Sequence, residues 1–367
     1  MILSFYIGMK YLKSLLWSFL SIAFLILLID GSDQLVSMSS HDLSAILGIK
    51  NALIRSPIHL LETLPLIVML GSLICFLSLT KNNELIITRS SGRSALRLLL
   101  VPIAITLIIG AIGTSVGNPL VALSIKSSEK FLEDLGLRAK NLLSVSSDGI
   151  WLRETSNENQ VVVHSKRTNA SGTELFDLTL FQFDKEDNLE KRIYATQGRI
   201  NRDYWELENA KIWSYSSKPV MEKTIEFLQQ PYFSVKTNLT QDQILNNFSD
   251  PRAISFWSIP NFVKKLEISG FSATRHKLFY QNELSRPFFL VAMMLIGAAF
   301  SLRYNRFGQT GLLVLVSVLV GFILFSLNRI ALSLGEAQQI PIILATHGPP
   351  LVGILITLGL LLHLEDG

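Results

Sequence analysis

The chain of 367 residues is 49% hydrophobic and only 17% charged, with a formal net charge of +4. Its mean hydropathy is +0.38 and its isoelectric point is near 9.0. Soluble domains carry about a quarter charged residues, so an ordinary soluble fold is excluded. Nucleic-acid binding finds no support: no basic stripe with interleaved aromatics occurs, and much of the positive charge sits beside apolar runs, where it sets membrane topology.

Lys10 and Lys13 precede the first apolar run, 14–29, and Asp30-Gly31-Ser32-Asp33 follows it. That sequence is no small-x-small cleavage site, so the run is predicted to be a retained helix. Further apolar stretches lie at 63–80, 98–125, 287–302, 307–328 and 337–362. Crossing about 30 Å of hydrocarbon takes roughly 20 helical residues. Helix is required because lipid offers no partner to a backbone N–H or C=O. The first and fourth stretches are shorter and are predicted to extend into their polar flanks. Cys75, the single cysteine, lies inside the second stretch and cannot form an intrachain disulfide.

Orientation follows from Lys and Arg in the short loops. Lys81, Arg89, Arg93 and Arg97 separate spans two and three, and Arg303 and Arg306 separate four and five. The loop around 331–340 has neither residue type, and 30–56 has only Lys50 and Arg55. Both termini are expected in the cytoplasm and the long middle region outside.

From about 127 to 274 the pattern changes to short β-like runs: 149–153, 160–164, 175–183, 193–200, 204–210 and 225–235, with a polar turn at 184–188. In 175–183, Leu178, Leu180 and Phe176 are expected on one face, with Phe181 and Phe183 on the other. Such a series suggests a sandwich or a jellyroll. Polar residues on both faces leave two readings open: a groove able to hold acyl chains, with an edge for a partner strand, or an ordinary sandwich with a solvated face.

The chemistry expected of an enzyme is missing. No Gly-x-x-x-x-Gly-Lys-Ser/Thr, no Gly-x-Ser-x-Gly and no Cys/His cluster occurs. His59-x-x-Glu62 is not His-Glu-x-x-His and reads better as a polar rim of span two. The informative inner segment is 81–92. Asn82 or Asn83 can cap a helix, Glu84 complements its positive end and Gly92 can close it. Such a helix either anchors a loop at the interface or docks into a separate ATPase, with Glu84 making a polar contact.

Asn83-Glu84-Leu85-Ile86 through Ser90-Ser91-Gly92, Asp33-Gln34-Leu35, Gly149-Ile150-Trp151, Lys236-Thr237-Asn238-Leu239-Thr240, and Pro287 with Met293-Met294 occur in an informative order. Together they resemble the LptF/LptG family of lipopolysaccharide-export permeases, and the LptG side of it more than the LptF side. The resemblance implies an α-helical membrane protein of six transmembrane helices, 3+3, with an inserted all-β periplasmic jellyroll. The implied domains are 1–126, with a coupling helix about 82–92, then 127–275, then 276–367.

It further implies an inner-membrane transport subunit that pairs with an LptF-like permease, two copies of an LptB-like ATPase and an LptC-like periplasmic protein. ATP and Mg are then bound by the ATPase, and this chain carries no cofactor. Coupling to the ATPase falls on Glu84, Leu85, Ile86, Arg89 and Gly92, and the lipid cavity and its gate, between spans one and five, on Asp33, Gln34, Arg55 and Arg329. The lysines expected near the end of span one are Asp30, Val36 and Ser37 here. Their charge comes from Lys50, Arg55 or Arg329 (Arg329 being preferred), or from the partner, or the lipid carries fewer phosphates. Two other classes remain: a membrane-tethered scaffold without transport, and a membrane enzyme acting on lipid.

Overall fold

A computed structural model describes residues 2–41, 43–82, 84, 95–137, 143–146, 149–155, 160–168, 174–184, 188–201, 204–215, 225–237, 250–268, 272–302 and 310–366. The helices are α1 (Ile2–Ser39), α2 (Ala45–Lys81), α3 (Ala95–Ile112), α4 (Asn118–Asp134), α5 (Ile259–Ile268), α6 (Thr274–Ser301), α7 (Thr310–Glu336) and α8 (Ile342–Asp366). A π-helical turn, Gly113–Gly117, joins α3 to α4, so that together they form the third span. Among the described residues, six helical stretches are long and apolar enough to cross a membrane. As expected, the first helix outruns its apolar core: 38 residues extend about 57 Å, nearly twice the hydrocarbon thickness.

By its contacts the chain divides into two compact units. One comprises Met1–Leu135, Arg252–Trp257 and Lys277–Gly367, the other Gly136–Pro251 and Ser258–His276. In the first unit α6 is the central helix, with Leu290, Ala292, Met293, Met294 and Ala298 fully buried. Lipid removes the hydrophobic drive between helices, so close approach and hydrogen bonds must replace it. Gly297 supplies the approach, since a Cβ there would lie 2.5 Å from the Met69 carbonyl oxygen of α2. Ser72 Oγ donates to the Met294 carbonyl at 2.7 Å, and Thr80 Oγ1 to that of Ser301 at 2.9 Å.

Prolines shape one end of this bundle. A proline inside a helix withholds the N–H that would serve the carbonyl four residues earlier. Pro65, Pro119 and Pro287 therefore release the carbonyls of Leu61, Ser115 and Glu283, and each finds a donor on another element. Arg286 Nη1 donates to Leu61 at 3.0 Å, Trp257 Nε1 to Ser115 at 3.1 Å and Thr114 Oγ1 to Glu283 at 2.9 Å. The short segment Arg252–Trp257 joins the same end, where Phe256 N–H donates to Asn118 Oδ1 at 2.7 Å and its ring stacks on Tyr280.

The second unit is one antiparallel sheet: β1 (Leu143–Ser146), β2 (Gly149–Thr155), β3 (Gln160–Thr168), β4 (Glu174–Phe183), β5 (Leu189–Asn201), β6 (Tyr204–Tyr215) and β7 (Ile225–Lys236). The strands lie in the sheet in chain order. The inserted β-rich domain is thus observed, with its described strands forming an antiparallel meander. Its core contains Val161, Val163, Leu178, Leu180, Ile193, Leu207 and Ile212, with Leu266 of α5 packed among them. This helix was not expected from the sequence, although Ile259, Phe262, Val263 and Leu266 are spaced as one helical stripe.

The expected face of β4 needs correction. Leu175, Leu178 and Leu180 are buried while Phe176 is only half-buried, because Asp177 adopts a left-handed φ of 53°. The same slip recurs across the sheet. In β5 the buried set is Ile193 and Ala195, then Gly198 and Ile200; in β6 it is Trp205 and Leu207, then Ala210 and Ile212. Register places Asp177, Thr196 and Asn209 in one transverse row. Asn209 has a φ of 54°, and its Nδ2 reaches Thr196 Oγ1 at 3.5 Å. Along this line each strand changes which parity of residue it turns inward. Asn tolerates the left-handed region and a β-branched residue does not. Asn209→Val is therefore expected to cost about 1–3 kcal/mol, lowering the melting temperature followed by Trp fluorescence, whereas Asn209→Gly leaves it near the parent value.

Candidate functional site

Glu84 lies just beyond the end of α2. That helix stops at Lys81, and Asn82 closes it with its backbone N–H directed to Ser78 and Thr80. The Asn82 side chain then donates to Glu84 Oε1 at 3.2 Å. So Asn82 closes α2, and Glu84, two residues on, is again helical, in keeping with the helix the sequence suggested there. Leu85, Ile86, Arg89 and Gly92 lie outside the described residues.

The Glu84 carboxylate faces α1. Lys10 Nζ lies 2.9 Å from Oε1 and 3.0 Å from Oε2, and the Tyr6 hydroxyl donates to Oε2 at 3.0 Å. Tyr6 and Lys10 are four residues apart, hence neighbours on one helical face. Partial burial pushes the carboxyl upward. Hydrogen bonds from Lys10, Asn82 and Tyr6, with the attraction of Lys10, outweigh it and hold the carboxyl below its ordinary range. The next face of α1 anchors the helix: Ile7, Tyr11 and Leu15 are buried, and the Tyr11 and Thr106 hydroxyls lie 2.7 Å apart.

The four residues considered for a lipid cavity are placed differently from one another. Gln34 is buried, and its Oε1 accepts from Asn51 Nδ2 at 2.7 Å, while Ser128 Oγ donates to Asn51 Oδ1 at 2.8 Å. This polar chain crosses from α1 through α2 to α4. Asp33 is exposed and Arg55 half-buried. Arg329 is exposed on α7, with its guanidinium 5.4 Å from the Phe325 ring centroid. Among the described residues, no hydrogen bond or ion pair joins these four to one another.

His59 and Glu62 take separate partners. His59 Nε2 lies 3.4 Å from Asp30 Oδ1, an ion-pair distance without hydrogen-bond alignment, and Arg252 Nη1 lies 2.9 Å from Glu62 Oε1. Among the described residues, no group of three or more His, Cys, Asp or Glu could hold a metal. Sequence reasoning missed the pair Glu283 and Arg286 on α6. Glu283 is wholly buried, Arg286 Nε donates to its Oε2 at 3.1 Å, and Arg286 Nη2 also meets its Oε1. The signal was available, for two opposite charges one helical turn apart open an apolar span.

Residues 5–363 match the family model described as lipopolysaccharide export system permease LptF/LptG. The chain belongs to the LptF/LptG family. It is similar to the lipopolysaccharide export system permease protein LptG of Escherichia coli K12, with 25% identity covering 99% of this chain and 98% of that protein. The LptG of Haemophilus influenzae Rd is 24% identical over 82% of each chain. Family membership makes the chain a multi-pass membrane permease and accounts for the inserted sheet.

The buried pair yields a stability test. Arg286→Met strands both the Glu283 carboxylate and the Leu61 carbonyl, and breaking a buried pair on one side costs about 3–5 kcal/mol. The yield of folded protein in detergent, read by size-exclusion chromatography, is expected to fall sharply. Adding Glu283→Gln, which removes the stranded charge, recovers part of the loss.

Proposed function

We propose that the chain is the transmembrane subunit of an ABC transporter that extracts lipopolysaccharide from the inner membrane and hands it to a periplasmic bridge toward the outer membrane. The reading is carried by one observation: the match to lipopolysaccharide-export permeases runs over residues 5–363, through both groups of spans and the inserted sheet. In this reading both termini are cytoplasmic and the sheet is periplasmic. An LptF-like permease is the partner in the membrane, two LptB-like ATPases bind ATP and Mg, and an LptC-like protein receives the lipid. This chain holds no cofactor of its own.

The lipid path lies along α1 and α7. They are the least covered of the six spans, with 11% and 22% of their apolar windows buried against 72% for α6. Val36 is 72% exposed and Ile330 56%, as suits faces that meet a second permease or a lipid. The ATPase docks on the cytoplasmic segment beginning near Glu84. Two-state transport then requires conformations of unequal lipid affinity, between which nucleotide selects.

Co-purification from native membranes tests the assembly: an LptF-like permease and an ABC ATPase are expected together with this chain, and their joint absence sinks the reading. Photo-crosslinkers at Val36 and Ile330 are expected to capture lipopolysaccharide or the partner permease. Equal lipid capture at Leu355 of α8, also exposed, removes the assigned path.

Acidity supplies a further check. With Glu84 held below its ordinary range by Lys10, Asn82 and Tyr6, the contact contributes fully above that range and fades as pH falls through the lowered value. Lipid release per ATP is therefore expected to be flat between about pH 6 and pH 8 as far as this group is concerned. A loss in that window that Glu84→Gln abolishes would contradict it.

A further inference from the structure

We infer that Tyr6 and Lys10 are positioning residues that fasten the coupling carboxylate of Glu84 to the first span, so that movement imposed by the ATPase reaches α1 across a contact inside this chain. The inference rests on the transport reading above and deepens it. A coupling glutamate is expected to meet the ATPase, but here the carboxylate faces inward, with the Lys10 ammonium on both of its oxygens and the Tyr6 hydroxyl on one. Lys10 and Glu84 retain side-chain exposures of only 19% and 26%, so the contact is sheltered from the screening that weakens surface pairs.

What α1 does with such a pull follows from its construction. Its first turns are set against the bundle by Ile7, Tyr11 and Leu15, and the Tyr11–Thr106 contact ties them to α3. Tyr6 and Lys10 stand on the neighbouring face of those turns. Beyond them Phe24, Leu28 and Ile29 are more than half exposed. No proline interrupts Ile2–Ser39, whereas α2, α3, α6 and α8 each contain at least one. An uninterrupted helix transmits rotation, while proline marks the places where helices bend. A displacement of Glu84 thus pulls on a continuous helix of about 57 Å whose far end carries the exposed Val36 and Gln34, the latter hydrogen-bonded to Asn51 of α2.

The test uses the whole transporter in proteoliposomes containing lipopolysaccharide and reads lipid released per ATP hydrolysed. Lys10→Met is expected to lower that ratio about tenfold, equivalent to about 1.4 kcal/mol, and Lys10→Arg to restore most of it. The exchange Lys10→Glu with Glu84→Lys is expected to perform better than either single change. Tyr6→Phe removes one hydroxyl and no charge, so it reads the contact even if Lys10→Met fails to insert; a twofold to threefold loss is expected. An unchanged ratio in Tyr6→Phe and Lys10→Met overturns the inference, as does a double exchange no better than the worse single. If those variants match the parent while Glu84→Ala still lowers the ratio, the carboxylate acts on the ATPase directly and the transport reading stands. If the parent complex hydrolyses ATP and releases no lipid, the transport reading itself fails.

Discussion

Backbone carbonyls that lose their helical donor must find another, and inside a membrane no water can take the part. Burying such a group unpaired costs roughly 2–7 kcal/mol. For three of the helix prolines, side chains on other elements take that part. Arg286 serves the carbonyl released by Pro65, Trp257 that released by Pro119, and Thr114 that released by Pro287. The arrangement is reciprocal: α6 donates to α2 through Arg286 and accepts from the third span through its own Glu283 carbonyl. The π-helical turn belongs to the same solution, since it carries both Thr114 and Ser115. One end of the bundle is therefore specified by paired interruptions, where continuous helices would have left only interchangeable apolar faces.

Much of this architecture was legible in the sequence, because apolar length is a direct consequence of bilayer thickness. The three spans, the inserted β-rich region and the three further spans needed no partner information. What was not legible depended on contacts between distant segments. Glu283 and Arg286 are adjacent turns of one helix, but nothing in their spacing says that Leu61 awaits the guanidinium. The facing of Glu84 toward Tyr6 and Lys10 was hidden for the same reason: Lys10 looked like a topology signal, and it serves as a ligand of the carboxylate as well.

The sheet illustrates a different limit. Period-two alternation assumes that each strand keeps its faces throughout, and β4, β5 and β6 all break that assumption at one row. Phe176 was assigned to the buried face by counting from Leu178, and the left-handed Asp177 hands that place to Leu175. The polar residues that seemed to occupy both faces are the product of this phase change. A row of Asp177, Thr196 and Asn209 is nevertheless the right chemistry for it, since Asp and Asn accept positive φ and Thr can bridge to a neighbouring carbonyl, as Thr196 Oγ1 does to Glu208 at 3.2 Å. The signal existed in three separate strands and became readable only when register brought them side by side.

Among the six spans, proline placement sets two mechanical kinds apart. α2, the third span and α6 are interrupted and cross-braced, and α6 is the most buried of the six. α1 and α7 have no proline and are the least buried. A transporter that must change the affinity of a cavity needs a fixed frame and movable walls, since packed interiors switch between discrete arrangements and do not deform smoothly. In the proposed transport reading the braced helices supply the frame and the uninterrupted ones the moving walls. In the transport reading proposed above, the Glu84 contact joins the end of α2 to α1, so a displacement there reaches a proline-free span without first having to break the donors that hold the prolines' carbonyls.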